Sequence, residues 1–208
     1  MTSVGLLLVV SLAFAERLGI GFWCARVTTL SVHLCASDSV QSPWPAVTRD
    51  ATGNPTSTIC QIAASNYIGV FGVREPGIDG EGIFFRNSHV GLRDITDGSS
   101  TTLLLGERSQ RFCNATWVGA VTSAQIFPPA NSPAVPVIEN ASGMILGHTF
   151  EGPPNGPNLE CNCFSSQHTG GGHFAFADGH AQFISTSIDA SVFRALSTRA
   201  GGETTGDF

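Results

Sequence analysis

The sequence contains no lysine, so its ten basic residues are all arginines, spread singly from Arg17 to Arg199. Without lysine there is no phosphate-loop lysine, no Schiff-base lysine and no lysine that acts as a general base. The formal net charge is −6, and no part of the chain forms a basic stripe. Because binding to nucleic-acid phosphates needs clustered cations, we expect no nucleic-acid partner.

The motifs of common hydrolases and of zinc sites are also missing. There is no Gly-x-Ser-x-Gly elbow, no His-Glu-x-x-His helix and no Cys-x-x-Cys pair. The cysteines either form disulfides or remain reduced, depending on the compartment of the protein; they are Cys24, Cys35, Cys60, Cys113, Cys161 and Cys163. We therefore expect a protein that is not an enzyme and that needs no cofactor.

The composition favours a β-rich fold. Only 12% of the residues are charged and 42% are hydrophobic, which indicates a well-packed domain and not a disordered chain. The 24 glycines and 11 prolines among 208 residues favour short strands, turns and long loops, with long surface loops at Ser39–Ser57 and Gln125–Pro136. Apolar residues four apart in Ile188–Leu196 predict a short C-terminal helix. We expect an α+β protein with a single antiparallel β-sheet-rich domain over residues 24–208.

Residues 1–23 form a hydrophobic leader or an anchor-like segment. An apolar run from Val4 to Ala15 ends in Ala13-Phe14-Ala15, which resembles a signal-peptidase site. This run is shorter than the roughly 20 residues of a bilayer-spanning helix, although the apolar residues beyond Arg17 lengthen it. The segment predicts export to the periplasm, cell envelope or exterior, with membrane association through the N-terminus as the alternative.

The longest alternating pattern lies in Phe164–Ser185 and predicts a β-hairpin. Asp178-Gly179 is a dipeptide that favours a two-residue turn with positive φ. Such a turn pairs Phe176 with Ala181 and Phe174 with Phe183, which places these four residues on one apolar face. His173 then lies on the opposite face.

Histidines of this hairpin and of the loop before it are the candidate metal ligands. His168 with His173 or Asp178 is the set on which a secreted metal-binding module or metal-dependent hydrolase would be built. We expect a structural role in place of metal binding: His168 holds the glycine loop that ends at Gly172 by hydrogen bonds, and Asp178 and Gly179 serve the turn.

Two further pairs of charged residues have structural and functional interpretations. Asp94 and Asp97 lie in a glycine-containing segment and are candidate calcium ligands, although the spacing of an EF-hand is absent. Glu107 and Arg108 follow a predicted central strand, Thr101–Gly106, and are either an acid with its orienting partner or a buried salt bridge. We expect the salt bridge.

A series of short motifs in a fixed order resembles one known family. The motifs are Cys35-Ala-Ser-Asp38, Ser65-Asn-Tyr67 with Gly72, Gly82-Ile-Phe84, Asp94-Ile-Thr-Asp-Gly98, Leu104-Leu-Gly-Glu-Arg108, Phe164-Ser-Ser166, His168 followed after nine residues by Asp178-Gly179, and Gly201-Gly-Glu203. In this order they resemble the prepilin-like domains of unknown function that are abundant in planctomycetes. The resemblance covers the chain from about residue 34 onward.

That family is similar to type IV pilins and to the pseudopilins of type II secretion. The resemblance implies a pilin-like β-sheet head domain, a non-enzymatic role at the cell envelope and partners among other pilin-like or secretion-system proteins. It also supports the calcium alternative, since some pseudopilins hold calcium in a head-domain loop. Residues 1–33 contain neither the family's cleavage motif nor its long N-terminal helix, so polymerisation is not implied.

Overall fold

A computed structural model describes residues 25–203, 205–206 and 208. The leader expected over residues 1–23 lies outside them. Within the described residues no helix is both long and apolar enough to cross a bilayer. The strands are β1 (Trp44–Arg49), β2 (Pro55–Ile62), β3 (Tyr67–Gly72), β4 (Leu103–Glu107), β5 (Gln125–Ile126), β6 (Glu139–Asn140), β7 (Leu146–His148), β8 (Gly171–Phe176) and β9 (Ala181–Ser185), and the helix α1 spans Ala190–Leu196.

The strands form two sheets, which confirms a β-rich α+β fold. One sheet has the order β2-β1-β5-β6 and is antiparallel throughout. The other has the order β7-β3-β4-β8-β9, with a parallel pair between β3 and β7 and antiparallel pairs elsewhere. The strand predicted over Thr101–Gly106 is β4, and it lies at the centre of the five-stranded sheet as expected. The predicted loop Ser39–Ser57 is wrong in part, because it contains β1 and the start of β2.

Each sheet packs on its own hydrophobic core. The core of the four-stranded sheet includes Trp44, Ile62 and Met144 and surrounds a disulfide between Cys113 and Cys161. The core of the five-stranded sheet is aromatic, with Phe164, Phe174 and Phe193 packed edge to face. Apolar burial of this kind is the main source of the stability of both halves.

The hairpin between β8 and β9 exists, but the predicted register is wrong by one residue. The amide of Gly179 donates to the carbonyl of Phe176 (2.9 Å), and the amide of Phe176 donates to the carbonyl of His180 (2.9 Å). The loop therefore has three residues, with Gly179 at a φ of +96°, an arrangement typical of three-residue hairpins. A shift of one residue turns a strand over.

As a result Phe183 pairs with His173, and Phe174 pairs with Gln182. Phe183 is 41% exposed, whereas Ile184 is buried opposite Gly172. The predicted apolar face keeps Phe174 and Phe176 and replaces Phe183 with Ile184. The helix α1 confirms the predicted C-terminal helix, and Asp189 caps it by accepting hydrogen bonds from the amides of Ser191 and Val192.

Candidate functional site

Several residues with reactive or metal-binding side chains lie together at the end of β4. Glu107 is the last residue of β4 and only 2% exposed. Its Oε1 lies 3.3 Å from Nε2 of His168, and its Oε2 accepts the backbone amide of His173 at 2.7 Å. Nδ1 of His173 lies 3.4 Å from the same Oε2. Glu107 thus holds both histidines of the predicted metal set.

A cysteine completes this cluster from the other end of the chain. Sγ of Cys35 lies 3.4 Å from Nε2 of His168. The backbone of Cys35 is held in place because its amide donates to Oδ1 of Asn66 at 2.9 Å. The cluster opens into a groove of about 490 Å³, whose walls also include Tyr67, Leu105, Phe174, Ala175 and Ala181. We call Cys35, Glu107 and His168 the β4 cluster.

The geometry of the β4 cluster differs from that of a catalytic nucleophile, base and orienter. In such a triad the two ring nitrogens of the histidine contact different partners. Here Nε2 of His168 faces both Cys35 and Glu107. Burial raises the pKa of the Cys35 thiol, and the hydrogen bond and charge of Glu107 raise it further, against opposing contacts from Ser37. A thiol of raised pKa is a poor nucleophile, because the thiolate is the reactive form.

The same electrostatics act on Tyr67, the only tyrosine of the chain. Burial raises the pKa of Tyr67 to about 12, with further contributions from the charges of Glu107 and Cys35. The groove is therefore an environment that disfavours additional negative charge. A bound cation would reverse this preference.

The β4 cluster has the donor atoms and the spacing of a metal centre. One sulfur, one imidazole nitrogen and one carboxylate oxygen lie within 4.8 Å of one another. Tetrahedral zinc with bonds of about 2.0 to 2.3 Å requires ligand atoms about 3.3 to 3.8 Å apart. Two of the separations, 3.4 Å for Cys35 Sγ to His168 Nε2 and 3.3 Å for His168 Nε2 to Glu107 Oε1, match that requirement.

Asp178, the third member of the predicted metal set, lies elsewhere. Its Oδ1 is 2.7 Å from Nδ1 of His180 at the tip of the hairpin and also accepts the His180 amide at 3.1 Å. The hydrogen bonds from the amide and side chain of His180 lower the pKa of Asp178. Asp178 thus contacts the turn region, while His168 belongs to the β4 cluster.

The two candidate calcium ligands bind different parts of the backbone. Oδ2 of Asp94 accepts the amide of Gly91 at 2.8 Å and closes a short 3-10 helix, Leu92–Asp94. Asp97 accepts the amides of Gly201 at 2.6 Å and Gly202 at 3.0 Å, which ties down the C-terminal segment. Among the described residues, the clusters that could hold a metal do not include these two aspartates.

The predicted salt bridge between Glu107 and Arg108 is wrong. Successive side chains of an extended chain point to opposite sides, so adjacent strand residues are badly placed to pair. Arg108 is fully buried and donates to the backbone carbonyls of Cys163 (3.1 Å), Leu146 (3.1 Å) and Gly143. Burial lowers the pKa of Arg108 to about 9, so the guanidinium remains charged at neutral pH.

The glycine loop before β8 is held by residues other than the predicted one. The carbonyl of Gly171 accepts hydrogen bonds from Oγ of Ser166 and from Nδ2 of Asn155 (3.1 Å). The His168 side chain, expected to bind this loop, instead faces Glu107 and Cys35. Gly172 is the second residue of β8 and pairs with Ile184.

Sequence reasoning missed Cys35 as a member of the site. Cys35 is separated from His168 by 133 positions, and no periodicity or spacing connects residues so far apart. The only signal was the Cys35-Ala-Ser-Asp38 turn. Its Asp38 accepts Nδ2 of Asn66 at 2.7 Å and the amide of Gln110 at 2.7 Å, so the motif fixes the loop on which Cys35 lies.

A family model described as SBP_bac_10, Protein of unknown function (DUF1559), matches residues 14–191. The matched span includes all nine strands and the β4 cluster. No curated protein and no solved structure matches the chain.

Proposed function

We propose that this chain, which belongs to the DUF1559 family of proteins of unknown function, is an exported, non-enzymatic head domain that acts through protein contacts at the cell envelope. The assembly we propose is pilus-like or type II secretion-like, with other pilin-like or secretion-system proteins as partners. We propose this class of assembly because the ordered motif series resembles that of the planctomycete prepilin-like proteins.

The observation that supports the proposal is that side chains of the motif residues hydrogen-bond to the backbone of the fold. Arg108 binds three backbone carbonyls, and Asn66 binds the amide of Cys35, Asp38 and the carbonyl of Arg108 (3.2 Å). Glu107 binds the backbone of β8. Residues with such contacts stabilise a scaffold, and function is then left to the exposed surface.

Two further observations agree with this proposal. The disulfide between Cys113 and Cys161 supports export, because disulfides persist in oxidising compartments and are rare in the cytosol. The raised pKa of Cys35 supports a non-enzymatic role, because it keeps the thiol of the open groove in its unreactive form.

The test is site-specific photo-crosslinking of the full chain in its native cells. Amine-reactive crosslinkers are unsuitable because the chain has no lysine. A photoreactive residue replaces Ile59 on the edge strand β2, Phe183 on the edge strand β9, or Ile78, three exposed apolar positions. The control position is Arg93, which is exposed and polar.

We expect the chain in the envelope or exported fraction, and protein adducts of discrete mass from at least one apolar position but not from Arg93. Exposed edge strands are the surfaces on which β-rich proteins add partners. A chain that remains in the cytosol, or that gives no adduct at any of the three positions, would contradict the proposal.

A second candidate function is a secreted metal-binding module or a metal-dependent hydrolase. The convergence of Cys35, Glu107 and His168 within 4.8 Å favours it, with His173 next to Glu107. It is tested by the zinc content of the purified chain and of His168→Ala, with His89→Ala as an exposed control. Equal zinc in the His168→Ala and wild-type proteins would exclude the β4 cluster as the metal site.

A further inference from the structure

A second group of metal-ligating side chains lies at the end of β7 and shares no residue with the β4 cluster. Nε2 of His148 is 3.3 Å from Oε2 of Glu151, and Sγ of Cys163 is 3.4 Å from the same oxygen. Sγ of Cys163 lies 3.9 Å from Nε2 of His148. The first two separations lie within the edges of about 3.3 to 3.8 Å in a tetrahedral zinc site, and the third exceeds them slightly.

The contact of Nδ1 with a backbone carbonyl directs Nε2 of His148 into this group. The side chain is fully buried, and Nδ1 lies 3.2 Å from the carbonyl oxygen of Val73. A carbonyl accepts and never donates, so Nδ1 carries the proton and donates it. Nε2 then faces the carboxylates of Glu151 and of Glu75, whose Oε1 is 3.4 Å away. Zinc-bound histidines have this arrangement, with the second ring nitrogen donating to a carbonyl or carboxylate.

The surroundings are rich in acceptors and poor in donors. Carboxylate oxygens of Glu75, Glu151 and Glu160 lie within 4.8 Å of one another. The buried side chain of Asn162 points at this group, since its Nδ2 donates to Glu75 and to Glu139 (3.1 Å). Carboxylates this close to one another repel unless a proton or a cation lies between them.

Two nearby guanidinium groups, those of Arg74 and Arg108, form no salt bridge with this group: Arg74 pairs with Glu81, and Arg108 binds backbone carbonyls. The three nitrogens of Arg108 bind the carbonyls of Gly143, Leu146 and Cys163. The cluster therefore contains carboxylates, an imidazole and a thiol, with no ammonium or guanidinium bound to its carboxylates in the ion pairs of the described residues.

We propose that Glu75, His148, Glu151 and Cys163 bind a structural Zn²⁺ ion. One sulfur, one nitrogen and two oxygens suit zinc, whereas calcium and magnesium take oxygen ligands. With Glu75, whose Oε1 lies 3.4 Å from Nε2 of His148, as the fourth ligand beside His148, Glu151 and Cys163, the coordination shell would be closed, which is characteristic of structural and not of catalytic zinc. This inference does not depend on the proposed function.

The ion would join three separate segments of the chain. Glu75 follows β3, His148 ends β7 with Glu151 shortly after it, and Cys163 belongs to the core of the four-stranded sheet. Cys161 belongs to the core of the four-stranded sheet, and Phe164 belongs to the core of the five-stranded sheet. Zinc at this position couples metal binding to folding and raises the melting temperature.

The experiment uses the full chain, stripped of metal with a chelator and titrated with Co²⁺ as a spectroscopic substitute for zinc. Thiolate binding to Co²⁺ gives a sulfur-to-metal charge-transfer absorption band. We expect this band in the wild type and in Cys35→Ser, and its loss in Cys163→Ser. Because Cys35 is the thiol of the β4 cluster, this pair of variants assigns the band to one of the two clusters.

A second pair of variants covers the case in which Cys163→Ser does not fold. Glu75 is half-exposed, so Glu75→Gln should fold, and Asp79→Asn on the same loop is the matched control. In competition with a chelator we expect Glu75→Gln to weaken Zn²⁺ binding by at least the roughly 10- to 100-fold that loss of an outer hydrogen-bond partner causes. Asp79→Asn should bind like the wild type.

Two results would overturn the proposal. One is a stripped wild-type chain that binds neither Co²⁺ nor Zn²⁺ at this cluster, and the other is binding that Cys163→Ser and Glu75→Gln leave unchanged. In either case His148 would contact the two carboxylates directly, with no metal ion between them.

Discussion

Glu107 and Arg108 are adjacent in sequence, but the carboxylate of Glu107 forms no salt bridge with the guanidinium of Arg108. The carboxylate of Glu107 binds His168 and the amide of His173 on the groove side of the five-stranded sheet. The guanidinium of Arg108 binds three carbonyls in the interior. Glu107 therefore lies at the centre of the candidate site, whereas Arg108 stabilises the interior of the fold.

Replacing Arg108 should strongly destabilise the protein. Arg108→Met leaves three buried carbonyls without their donor, and we expect a loss of about 3 kcal/mol in the free energy of unfolding. Arg111→Met, at an exposed position three residues later, should change it by less than about 0.5 kcal/mol. Urea denaturation of the two variants checks the difference, and equal midpoints would show that the carbonyl contacts of Arg108 contribute little.

Gly171 and Gly172, the first two residues of β8, should differ in their tolerance of a side chain. A Cβ on Gly171 would lie 2.0 Å from the carbonyl oxygen of Ile184, whereas a Cβ on Gly172 would meet its nearest atoms at 3.5 Å. We expect Gly171→Ala to disrupt the pairing of β8 with β9 and Gly172→Ala to be nearly neutral. Thermal unfolding of both variants measures this, and a Gly172→Ala protein less stable than Gly171→Ala would contradict the described register.

Local signals in the sequence predicted the elements of this region better than the contacts between them. Alternation in Phe164–Ser185 was sufficient for the hairpin, and the apolar run before Glu107 was sufficient for β4. The register failed because Asp178-Gly179 fits both a two-residue and a three-residue loop, and the loop length depends on the hydrogen bonds of Phe176.

The candidate site could be predicted only in part. His168 and His173 were identified because they are close in sequence to each other and to the glycine loop. Glu107 contacts them because β4 pairs with β8, and Cys35 contacts His168 from a loop that is distant in sequence. No local sequence pattern encodes either contact. The predicted salt bridge between Glu107 and Arg108 is wrong because successive side chains of a strand point to opposite sides.

Removal of the disulfide should cost stability through the unfolded state. Cys113 and Cys161 are 48 residues apart, and closing a loop of this size contributes about 2 to 4 kcal/mol. We expect the Cys113→Ala, Cys161→Ala double variant to unfold at a lower urea concentration than the wild type. Cys60→Ala, which removes a free cysteine, is the control; equal effects of the two changes would mean that the disulfide adds nothing beyond packing.

The stability of the metal-free chain should fall as the pH rises towards neutrality, in part because of Glu139. Burial, together with the charges of Glu75 and Glu160, raises the pKa of Glu139 to about 7 from the ordinary 4.5. The folded state binds this proton more tightly than the unfolded state, so its stabilisation is complete below about pH 4.5 and is lost by about pH 7.

The variant Glu139→Gln removes this titration. With allowance for the partial exposure of the side chain, we expect it to be more stable than the wild type by roughly 1 kcal/mol at about pH 8 and equal at about pH 4.5. Chemical denaturation with chelator present gives both values. A difference between the two proteins that is constant with pH would show that Glu139 titrates normally in the fold.

The most direct test of the proposed function is photo-crosslinking of the Cys35→Ser chain in native cells. The change removes the only sulfur of the β4 cluster and alters little of the surface. If the protein acts through contacts, the adducts at Ile59, Phe183 or Ile78 should have the same masses and yields as in the wild type. Loss of those adducts, in a variant whose melting temperature is unchanged, would contradict the account and assign the function to the chemistry of the β4 cluster.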